Sequence, residues 1–466
     1  MLYFFYIPAG PHTDPGNRKA IYKMAKVKAD LGASSYGRIR PLHGVNGGPM
    51  TKVFTYDGRP LFRRAGIPVC RLHDTEYPYG SGEFVDIPCV LKDFDADEND
   101  PANYNFGLTD EYIRAIYEVG AEPLYRLGVS IEHAPVKRHI YPPKDYEKWA
   151  RICEHVIMHY NSGWADGHEW NIRYWEIWNE PEGKNMWLGT DEEFFEFFEV
   201  AVRHLKARFP ELKIGGPAFT RPDGGMREAF VRYCGSRGVP LDFYSWHRYF
   251  IDAENVKKSA AAARTLLDEN GYRDTESIFD EWNYMRDWTD QADSYVKLCD
   301  EHGAAFCAAV LSSLQQDTDV AAATYFEADP VKEWCGLFRV AEMGISRQKA
   351  KLAPRKPFYA FEGFGKLYRL GEAVYVSSDS DRITACAARD AEGKSFGLMI
   401  SNYSSTRGGD EKTEIELEGV PSGRFEVRLT DAAREDEVIC GLECEGSLKL
   451  TLDLKENSFV YIGSAV

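Results

Sequence analysis

The chain has 466 residues, of which 44% are hydrophobic and 28% charged, so it can bury a sizeable core and is long enough for a large barrel plus a smaller module. Its 56 basic and 73 acidic side chains give a formal net charge of −17, which disfavours nucleic acids and anionic membranes as partners. No apolar run approaches the roughly 18 residues that a membrane span needs. The oligomeric state does not follow from the sequence.

The cysteines favour a reducing compartment. All ten are scattered, no Cys-x-x-Cys occurs, and the closest pair is Cys440 and Cys444. This pattern is more typical of buried thiols than of a disulfide framework or a zinc site. The apolar start, Met1–Ile7, is too short for a signal sequence and predicts a β-strand. We therefore expect a cytoplasmic protein.

Short apolar segments alternate with helical stretches from about residue 34 to residue 325. Such alternation predicts βαβ units, and eight of them predict an α/β fold with a closed (β/α)8 TIM barrel. The predicted strands are Tyr36–Leu42, Ile67–Leu72, Glu122–Leu127, Ile172–Trp178, Leu212–Pro217, Leu241–Trp246, Ser277–Asp280 and Val320–Tyr325.

Helix signals separate these strands. Thr190 and Glu193 form a capping box, and an apolar helical face follows it. Further helices are predicted at Asp110–Val119, Asn255–Glu269 and Phe358–Leu370. The long segments 74–108 and 128–145 are predicted to be loops on the catalytic face of the barrel.

After residue 370 the pattern changes to short alternating runs separated by Gly, Asp, Glu and Ser. This pattern predicts a C-terminal antiparallel β-sandwich. The barrel is accordingly assigned to residues 8–370 and the sandwich to 371–466, and pairing of strand 1–7 with the sandwich is left open. The predicted sandwich strands are Arg382–Ala388, Ser395–Ser401, Thr413–Leu417, Arg424–Thr430, Ser447–Leu452 and Phe459–Gly463.

Two acidic residues fall at matching strand ends. Arg173-Tyr-Trp-Glu-Ile-Trp-Asn-Glu-Pro181 alternates as a strand and stops at its proline, so Asn179 and Glu180 lie at the carboxyl end of the fourth barrel strand. Glu276-Ser-Ile-Phe-Asp-Glu-Trp-Asn283 places Glu281 at the same end of the seventh. This end of a barrel carries the catalytic groups in barrel enzymes.

Strands four and seven face each other across a barrel, so these two carboxyl groups can flank one small substrate. Glycoside hydrolysis needs such a pair. One carboxylic acid protonates the leaving oxygen, and the other attacks the anomeric carbon or activates a water. Their separation distinguishes retention from inversion, and the sequence does not provide that distance.

These segments resemble glycoside hydrolase family 39 of clan A, which includes β-xylosidases and α-L-iduronidases. Trp175-Glu-Ile-Trp-Asn-Glu-Pro181 is similar to the acid/base motif, and Asp280-Glu-Trp-Asn283 to the nucleophile segment, although Asp280 replaces the usual Thr. The resemblance implies a retaining enzyme with Glu180 as acid/base and Glu281 as nucleophile. By analogy with the fold, the long loops suggest a pocket for exo action.

The resemblance also implies sugar-binding residues. Asn179 matches the residue that binds the 2-hydroxyl, His247 and Tyr249 match a pair near the nucleophile, and His43 matches a sugar contact of the first strand. Other candidates at strand ends are Asp74, Trp178, Trp282 and Phe326. For His43 and Asp74, sugar binding and structural roles are about equally expected, and Trp282 is as well suited to barrel packing.

Several alternatives remain open. The sequence lacks His-x-His on the first strand and any His-Glu-x-x-His, so neither a metal nor a cofactor is expected. A non-catalytic sugar-binding barrel is disfavoured by the presence of both carboxylates. A neutral pentoside, as in β-xylosidases, is the first choice of substrate. Arg71, Arg126 and Arg248 leave a uronic acid possible, because arginine binds carboxylates in a bidentate manner, although Arg71 and Arg126 suit structural pairing better.

Overall fold

The computed structural model describes residues 4–6, 24–49, 56–75, 83–342 and 350–464. Parts of the predicted strand 1–7 and of the predicted loop 74–108 therefore lie outside the described residues. Within the described ranges, no helix combines the length and the apolar character needed to cross a bilayer.

The predicted (β/α)8 barrel is confirmed. Three strands precede it, namely β1 (Phe4–Tyr6), β2 (Ala25–Asp30) and β3 (Gly37–Arg38). Eight parallel strands then close into a ring in chain order. They are β4 (Gly44–Asn46), β5 (Val69–Leu72), β6 (Glu122–Leu127), β7 (Tyr174–Ile177), β8 (Lys213–Phe219), β9 (Phe243–Phe250), β10 (Glu276–Tyr284) and β11 (Ala322–Tyr325).

The first barrel strand differs from its prediction. The segment Tyr36–Leu42 was expected to form it, but the strand is Gly44–Asn46. Within the predicted segment, Gly37 and Arg38 pair instead with a strand of the second sheet at Glu372–Val374. The observed strand has three fully buried residues, which is too short for its periodicity to stand out in the sequence.

Helices surround the barrel and match the predicted ones to within three residues at each end. The capping box at Thr190 and Glu193 is confirmed, with both reciprocal hydrogen bonds formed. The helices are α1 (Arg59–Ala65), α2 (Ile87–Val90), α3 (Gly107–Glu118), α4 (Tyr146–Ser162), α5 (Asp191–Arg208), α6 (Met226–Arg237), α7 (Ala253–Glu269), α8 (Ala292–Lys297), α9 (Glu301–Asp317) and α10 (Lys356–Leu370). A short hairpin of β12 (Phe338–Glu342) and β13 (Lys351–Pro354) precedes α10.

The second module is a ten-stranded sheet that curls around its own apolar core. It takes strands from both ends of the chain, because β1 and β2 pair in parallel with its long strands and β3 pairs at its edge. Residues 25–30 and 37–38 therefore pair outside the barrel to which the prediction assigned them. Its C-terminal strands are β14 (Glu372–Val374), β15 (Val376–Ser378), β16 (Ile383–Arg389), β17 (Phe396–Asn402), β18 (Glu411–Thr430), β19 (Glu437–Leu454) and β20 (Ser458–Ser464).

Two predicted strands, Thr413–Leu417 and Arg424–Thr430, are parts of the single strand β18. Its pairing with β19 shifts register between Glu418 and Gly423, where Gly419 adopts a left-handed φ of 66°. Such irregularities bend a strand without ending it. The turn-like sequence between the two predicted strands thus marks a bend.

Helix α9 joins the two modules. Its residues from Gly303 to Gln315 are all buried, since one side packs on neighbouring helices and the other on β16 and β17. The Ser401 hydroxyl donates to the carbonyl oxygen of Ala305 at 2.8 Å across this interface. A helix buried on all sides needs small apolar residues, which α9 supplies as a series of alanines.

Gly44 tests the close packing of the first barrel strand. A Cβ atom there would lie 2.8 Å from the carbonyl oxygen of Ala323 and 2.9 Å from that of Val69. We expect Gly44→Ala to lower the free energy of unfolding by about 1–3 kcal/mol, measured by urea denaturation, because both neighbouring strands must move.

The matched control is Gly107→Ala at the start of α3, where an added Cβ meets nothing within 4 Å. We expect this change to raise stability by roughly 0.5–1 kcal/mol, since alanine restricts the unfolded chain. Equal effects of the two substitutions would contradict the packing described for β4.

Candidate active site

Glu180 and Glu281 come together at the carboxyl ends of β7 and β10. Oxygen atoms of the two carboxyl groups lie within 4.8 Å of each other and of a nitrogen of His247. Trp178 and Glu180 have left-handed φ angles of 74° and 44°, and the Glu180 amide donates to the carbonyl oxygen of Ala218. This turn after β7 directs the Glu180 side chain into the barrel mouth, and such strained backbone is common at functional sites.

His247 on β9 lies between the two carboxyl groups. Its Nδ1 is 2.8 Å from Glu180 Oε1 and 3.6 Å from Glu281 Oε2, and its Nε2 is 3.6 Å from Asp280 Oδ1. Burial alone would lower the pKa of His247, but the charges of Glu281 and Asp280 raise it well above its usual range. The imidazole is therefore a cation that donates a hydrogen bond to Glu180.

Glu281 receives two further donors. The Tyr249 hydroxyl donates to its Oε1 at 2.5 Å, and the Arg71 guanidinium donates to its Oε2 at 3.3 Å. Burial raises the pKa of Glu281 to about 7, and the nearby charge of Glu180 adds to the rise, while His247, Arg71 and Tyr249 oppose it. Neutralising Glu180 would therefore remove one cause of the rise in the pKa of Glu281.

Arg71 on β5 forms the floor of the site and is completely buried. Its Nε donates to Glu176 on β7 at 2.8 Å, and its Nη2 donates to Asn179 Oδ1 at 2.7 Å. Nη1 also donates to Asn46 on β4 at 3.0 Å. One planar side chain therefore positions groups from β4 and β7 together with Glu281 on β10.

Glu176 and Asp280 share the remaining charge beneath the site. Both are fully buried, and Asp280 lies 3.1 Å from Arg71. Burial raises the pKa of Glu176 to about 8, with the Asp280 charge adding to the rise. Burial would also raise the pKa of Asp280, but Arg71 and His247 outweigh it and lower that pKa. Glu176 is therefore protonated near neutral pH, and Asp280 is ionised.

A cavity of about 570 Å³ opens above the two glutamates. Trp288, Trp334 and Tyr295 provide aromatic wall, and rings of this kind pack against the C–H faces of sugars. The other lining residues among those described are Asp74, Glu83, Ile131, His133, Glu180, Tyr249, Glu281, Gln291, Phe326, Glu327, Lys332 and Glu333.

Asn283 anchors one wall of this cavity. Its Nδ2 donates to the carbonyl oxygens of Phe326 at 2.6 Å and Trp334 at 3.0 Å. The loop after β11 is therefore fastened to the strand that carries the nucleophile. This explains why an asparagine two residues after Glu281 matters to the shape of the site.

The structure groups most of the predicted residues at the site. Tyr249, Asp74 and Phe326 line the cavity with Glu180 and Glu281, while Asn179 and His247 lie beneath it and contact the catalytic pair or its Arg71 support. The Asn179 Nδ2 is buried without a hydrogen-bond partner among the described residues. Its predicted role in binding a sugar hydroxyl stays a prediction.

His43 is placed away from this cavity. It precedes β4, and its Nε2 lies 2.9 Å from the carbonyl oxygen of Gly66, which precedes β5. Its ring packs against Phe364 and Tyr368 of α10. His43 therefore lies at the amino end of the barrel, opposite the catalytic groups. The predicted sugar contact of His43 assumed that Tyr36–Leu42 forms the first barrel strand, whereas that strand is Gly44–Asn46.

Trp178 and Trp282 point outward into the helical layer. Trp178 contacts Trp149 and Phe197, and its Nε1 donates to Met186. Trp282 packs on residues of α9 and α10. Neither is among the residues that line the cavity. Both tryptophans therefore have packing roles. For Trp282, packing was one of the two roles expected from the sequence.

Arg71, Arg126 and Arg248 were considered as binding partners for the carboxylate of a uronic acid. Two of them pair with carboxyl groups of the protein, and the third is not among the residues described as lining the cavity. Arg71 pairs with buried carboxylates, and Arg126 donates to Asp86 at 2.5 Å and to Ser130 at 3.1 Å. Arg248 is not among the lining residues described. Lys332 lines the cavity and was not predicted from the sequence. Its Nζ lies 3.5 Å from Glu327 Oε2.

The aromatic wall was also missed. Trp288, Gln291 and Tyr295 follow β10, and Trp334 follows β11. The signal that would have found them is their position after the seventh and eighth strands, where barrel loops surround the active site. Trp334 contacts Tyr249 with ring centroids 5.2 Å apart, which links the wall to the nucleophile's hydrogen-bond donor.

The Glu180, His247 and Glu281 group has the spacing of a metal site, but its charges do not suit a cation. His247 already carries a positive charge, and the Arg71 guanidinium lies 3.3 Å from Glu281. Positive groups at these distances repel a further cation. The arrangement suits proton transfer and nucleophilic attack.

Removing Arg71 tests its structural role. We expect Arg71→Met to lower the free energy of unfolding by about 3–5 kcal/mol, because it leaves buried carboxylates without their partner. The control is Arg173→Met, which breaks a 2.8 Å pair with Glu122 whose side chains are 62% and 52% exposed. That change should cost about 0–1 kcal/mol in the same denaturation experiment. A small effect of Arg71→Met would contradict the description of Arg71 as the support of the site.

Comparisons with known proteins agree with this geometry. The model of glycosyl hydrolases family 39 matches residues 87–432. A beta-xylosidase of Caldicellulosiruptor saccharolyticus is 28% identical over 323 residues, covering 65% of this chain and 64% of that protein. The human alpha-L-iduronidase is 28% identical over 164 residues, covering 31% of this chain and 24% of that protein. The chain therefore spans less than two thirds of the length of either relative.

A solved structure supports the fold. The glucosidase from Croceicoccus marinus has a TM-score of 0.76 and 24% identity, covering 95% of this chain and 99% of that one. At this identity the likeness concerns the fold alone. The family model, by contrast, matches more than half of the chain, and the resemblance seen in the two glutamate motifs is confirmed. The chain belongs to glycosyl hydrolases family 39.

Proposed function

We propose that the chain is a retaining, exo-acting glycoside hydrolase in which Glu180 is the acid/base and Glu281 the nucleophile. The observation that carries this proposal is that an oxygen atom of one carboxyl group lies within 4.8 Å of an oxygen atom of the other at the floor of a cavity. Retaining enzymes hold such groups about 5–5.5 Å apart, whereas inverting enzymes leave about 6.5–9.5 Å for a water molecule.

In the first step, Glu281 attacks the anomeric carbon while Glu180 donates its proton to the leaving oxygen. The glycosidic C–O bond breaks as the bond from carbon to Glu281 forms, and the aglycone leaves as an alcohol. In the second step, Glu180 removes a proton from water, and the water oxygen displaces Glu281. Each step inverts the carbon, so the product keeps the starting configuration.

The surrounding charges suit both steps. Tyr249 and Arg71 donate to Glu281, which favours its ionised form before attack. The His247 cation donates to Glu180 and keeps its carboxyl group aimed between the cavity and the nucleophile. After the first step Glu281 is an ester and loses its charge. Glu180 then acts as the general base with the His247 cation 2.8 Å away.

The lining residues support a neutral sugar, and a pentoside as in β-xylosidases is our first choice. The described lining contains Asp74, Glu83, Glu327 and Glu333 in addition to the catalytic pair, against Lys332 and His133. An anionic sugar would meet repulsion there. A uronic acid remains the second candidate, supported by Lys332 in the wall and by the similarity to an alpha-L-iduronidase.

The two glutamates can be distinguished by azide rescue. On aryl glycosides we expect Glu281→Ala to abolish turnover and Glu180→Ala to slow it by about 10²–10⁴-fold on substrates with poor leaving groups. Azide should restore Glu180→Ala and give a glycosyl azide of the substrate's configuration. With Glu281→Ala, azide should give the opposite configuration, because only one displacement occurs.

The substrate panel comprises xyloside, arabinoside, glucoside, glucuronide and iduronide. Preference for the xyloside supports the pentoside proposal, and preference for a uronide supports the second candidate. Full turnover by Glu281→Ala on every glycoside would favour neither, and would overturn the assignment of the nucleophile. Absence of turnover by the wild type on the whole panel would count for a non-catalytic sugar-binding barrel.

The Tyr249 hydroxyl tests the charge balance at Glu281. Tyr249→Phe removes a donor that opposes the rise in the pKa of Glu281, which is about 7 with that donor present. The nucleophile must be ionised, so we expect the acidic limb of the kcat/KM profile to move to higher pH. Unchanged limbs in Tyr249→Phe would contradict this role. The ring contacts with Trp288 and Trp334 are kept by phenylalanine, which separates the hydroxyl's effect from packing.

We also propose that the protein works in a reducing compartment such as the cytoplasm. All ten cysteines are free thiols, and seven of them are buried. Burial raises the pKa of Cys70 and Cys307 far above the usual range, which keeps them unreactive. Fractionation of the producing cells is the direct test.

A further inference from the structure

A second cluster of polar side chains lies outside the barrel mouth. It consists of Asp110 in the first turn of α3, His159 near the end of α4, and His168 in the loop that leads to β7. Ligand atoms of all three lie within 4.8 Å of one another. We propose that this cluster binds a divalent transition-metal ion of the zinc type, which fastens these three segments together.

The donor atoms are arranged around one point. His159 Nε2 lies 3.0 Å from Asp110 Oδ1, and His168 Nε2 lies 3.5 Å from Asp110 Oδ2. Zinc bound at about 2.0–2.2 Å in a tetrahedral geometry separates its nitrogen and oxygen ligands by comparable distances. Two imidazoles and a carboxylate are a donor set that zinc accepts, with the fourth position left to water.

Hydrogen bonding holds the ring of His159 with one nitrogen facing the carboxylate. Its Nδ1 lies 2.9 Å from the carbonyl oxygen of Trp164, which can only accept, so Nδ1 donates to it. Its Nε2 then faces Asp110 Oδ1 at 3.0 Å. His168 Nε2 is also buried and has no hydrogen-bond partner among the described residues. A single added proton satisfies one of these nitrogens, whereas one metal ion satisfies both and the carboxylate.

The rings are held in place before any ion binds. His159 stacks on Phe106 with ring centroids 3.6 Å apart and an interplanar angle of 6°, and His168 stacks on Trp170 at 3.8 Å and 3°. The Trp164 carbonyl fixes the tautomer of His159, which is the usual role of an outer hydrogen bond to a metal-binding histidine. Ordered ligands lose little entropy on binding, which favours affinity.

The loop that carries His168 is built tightly against α4. The His168 amide donates to the carbonyl oxygen of His159 at 2.6 Å. A Cβ at Gly167 would lie 2.1 Å from the same oxygen, so a glycine is needed there. Ala165 and Asp166 have left-handed φ angles of 56° and 54°. The backbone thus commits this loop to placing the second histidine beside the first.

The charge environment also differs from that of the active site. In the described part of the chain, the ion-pair contacts of Asp110 are with His159 and His168 and not with a guanidinium or ammonium group. The spacing of the two histidines, nine residues apart across a loop, explains why a search for short zinc motifs does not find them. The ion would affect stability and not catalysis. It would bind the loop that precedes β7, whereas Glu180 follows the other end of that strand.

Zinc and cobalt binding to the purified full chain test this inference, by equilibrium dialysis after chelator treatment and by cobalt absorption spectra. We expect one equivalent bound with nitrogen and oxygen ligands, and a thermal midpoint that rises with zinc concentration. Binding should be lost in His168→Gln and Asp110→Asn. Activity on aryl glycosides should be unaffected by chelation at moderate temperature.

Two controls separate this site from other groups. His204→Gln removes a histidine paired with a single carboxylate, Glu154, at 2.7 Å, and should retain binding. Glu281→Gln removes one member of the catalytic cluster and should also retain it. If Asp110→Asn fails to fold, His168→Gln still gives a clear result, because the His168 side chain is 21% exposed. Absence of binding by the wild type, or binding that survives His168→Gln, would overturn the proposal, as would a thiolate absorption band with cobalt.

Discussion

The guanidinium group of Arg71 joins strand ends that lie on different sides of the barrel mouth. Its donors reach Glu176 on β7, Glu281 on β10, Asn46 on β4 and Asn179 just after β7. A planar group with five fixed donors can hold so many acceptors in one geometry, whereas a lysine cannot. The separation of the two catalytic carboxyl groups is therefore set by a buried ion pair network and by closure of the barrel together.

This network must balance its charge inside a region without solvent. Arg71 and His247 are cations. The carboxylates of Asp280 and Glu281 lie next to both of them and offset their positive charge. Glu176 takes a proton because burial and Asp280 raise its pKa to about 8. Glu180, the most exposed of the group at 19%, is the member that can exchange a proton with substrate and water. The division of labour between the two glutamates thus follows from burial and from the number of donors that each receives.

The sequence predicts the barrel, the capped helices and the positions of Glu180 and Glu281 at strand ends well, because strand ends and helix caps are local signals. It fails where side-chain direction depends on irregular strands. The pairing of β10 with β9 shifts register between Phe279 and Glu281, so Asp280 and Glu281 both contact Arg71 although neighbours normally alternate. Trp282 then points outward. His43 was misplaced for a related reason, since a three-residue strand has no readable period.

The two histidine–carboxylate clusters of this protein contain similar groups but differ in their electrostatic surroundings. At the active site, Arg71 supplies a fixed positive charge beside the His247 cation and the carboxyl groups. At Asp110, the carboxylate faces one ring nitrogen from each of two histidines. An added cation would be repelled in the first case, and it would neutralise a partly buried carboxylate in the second. Ligand spacing alone does not separate the two clusters, whereas the presence of a neighbouring guanidinium does.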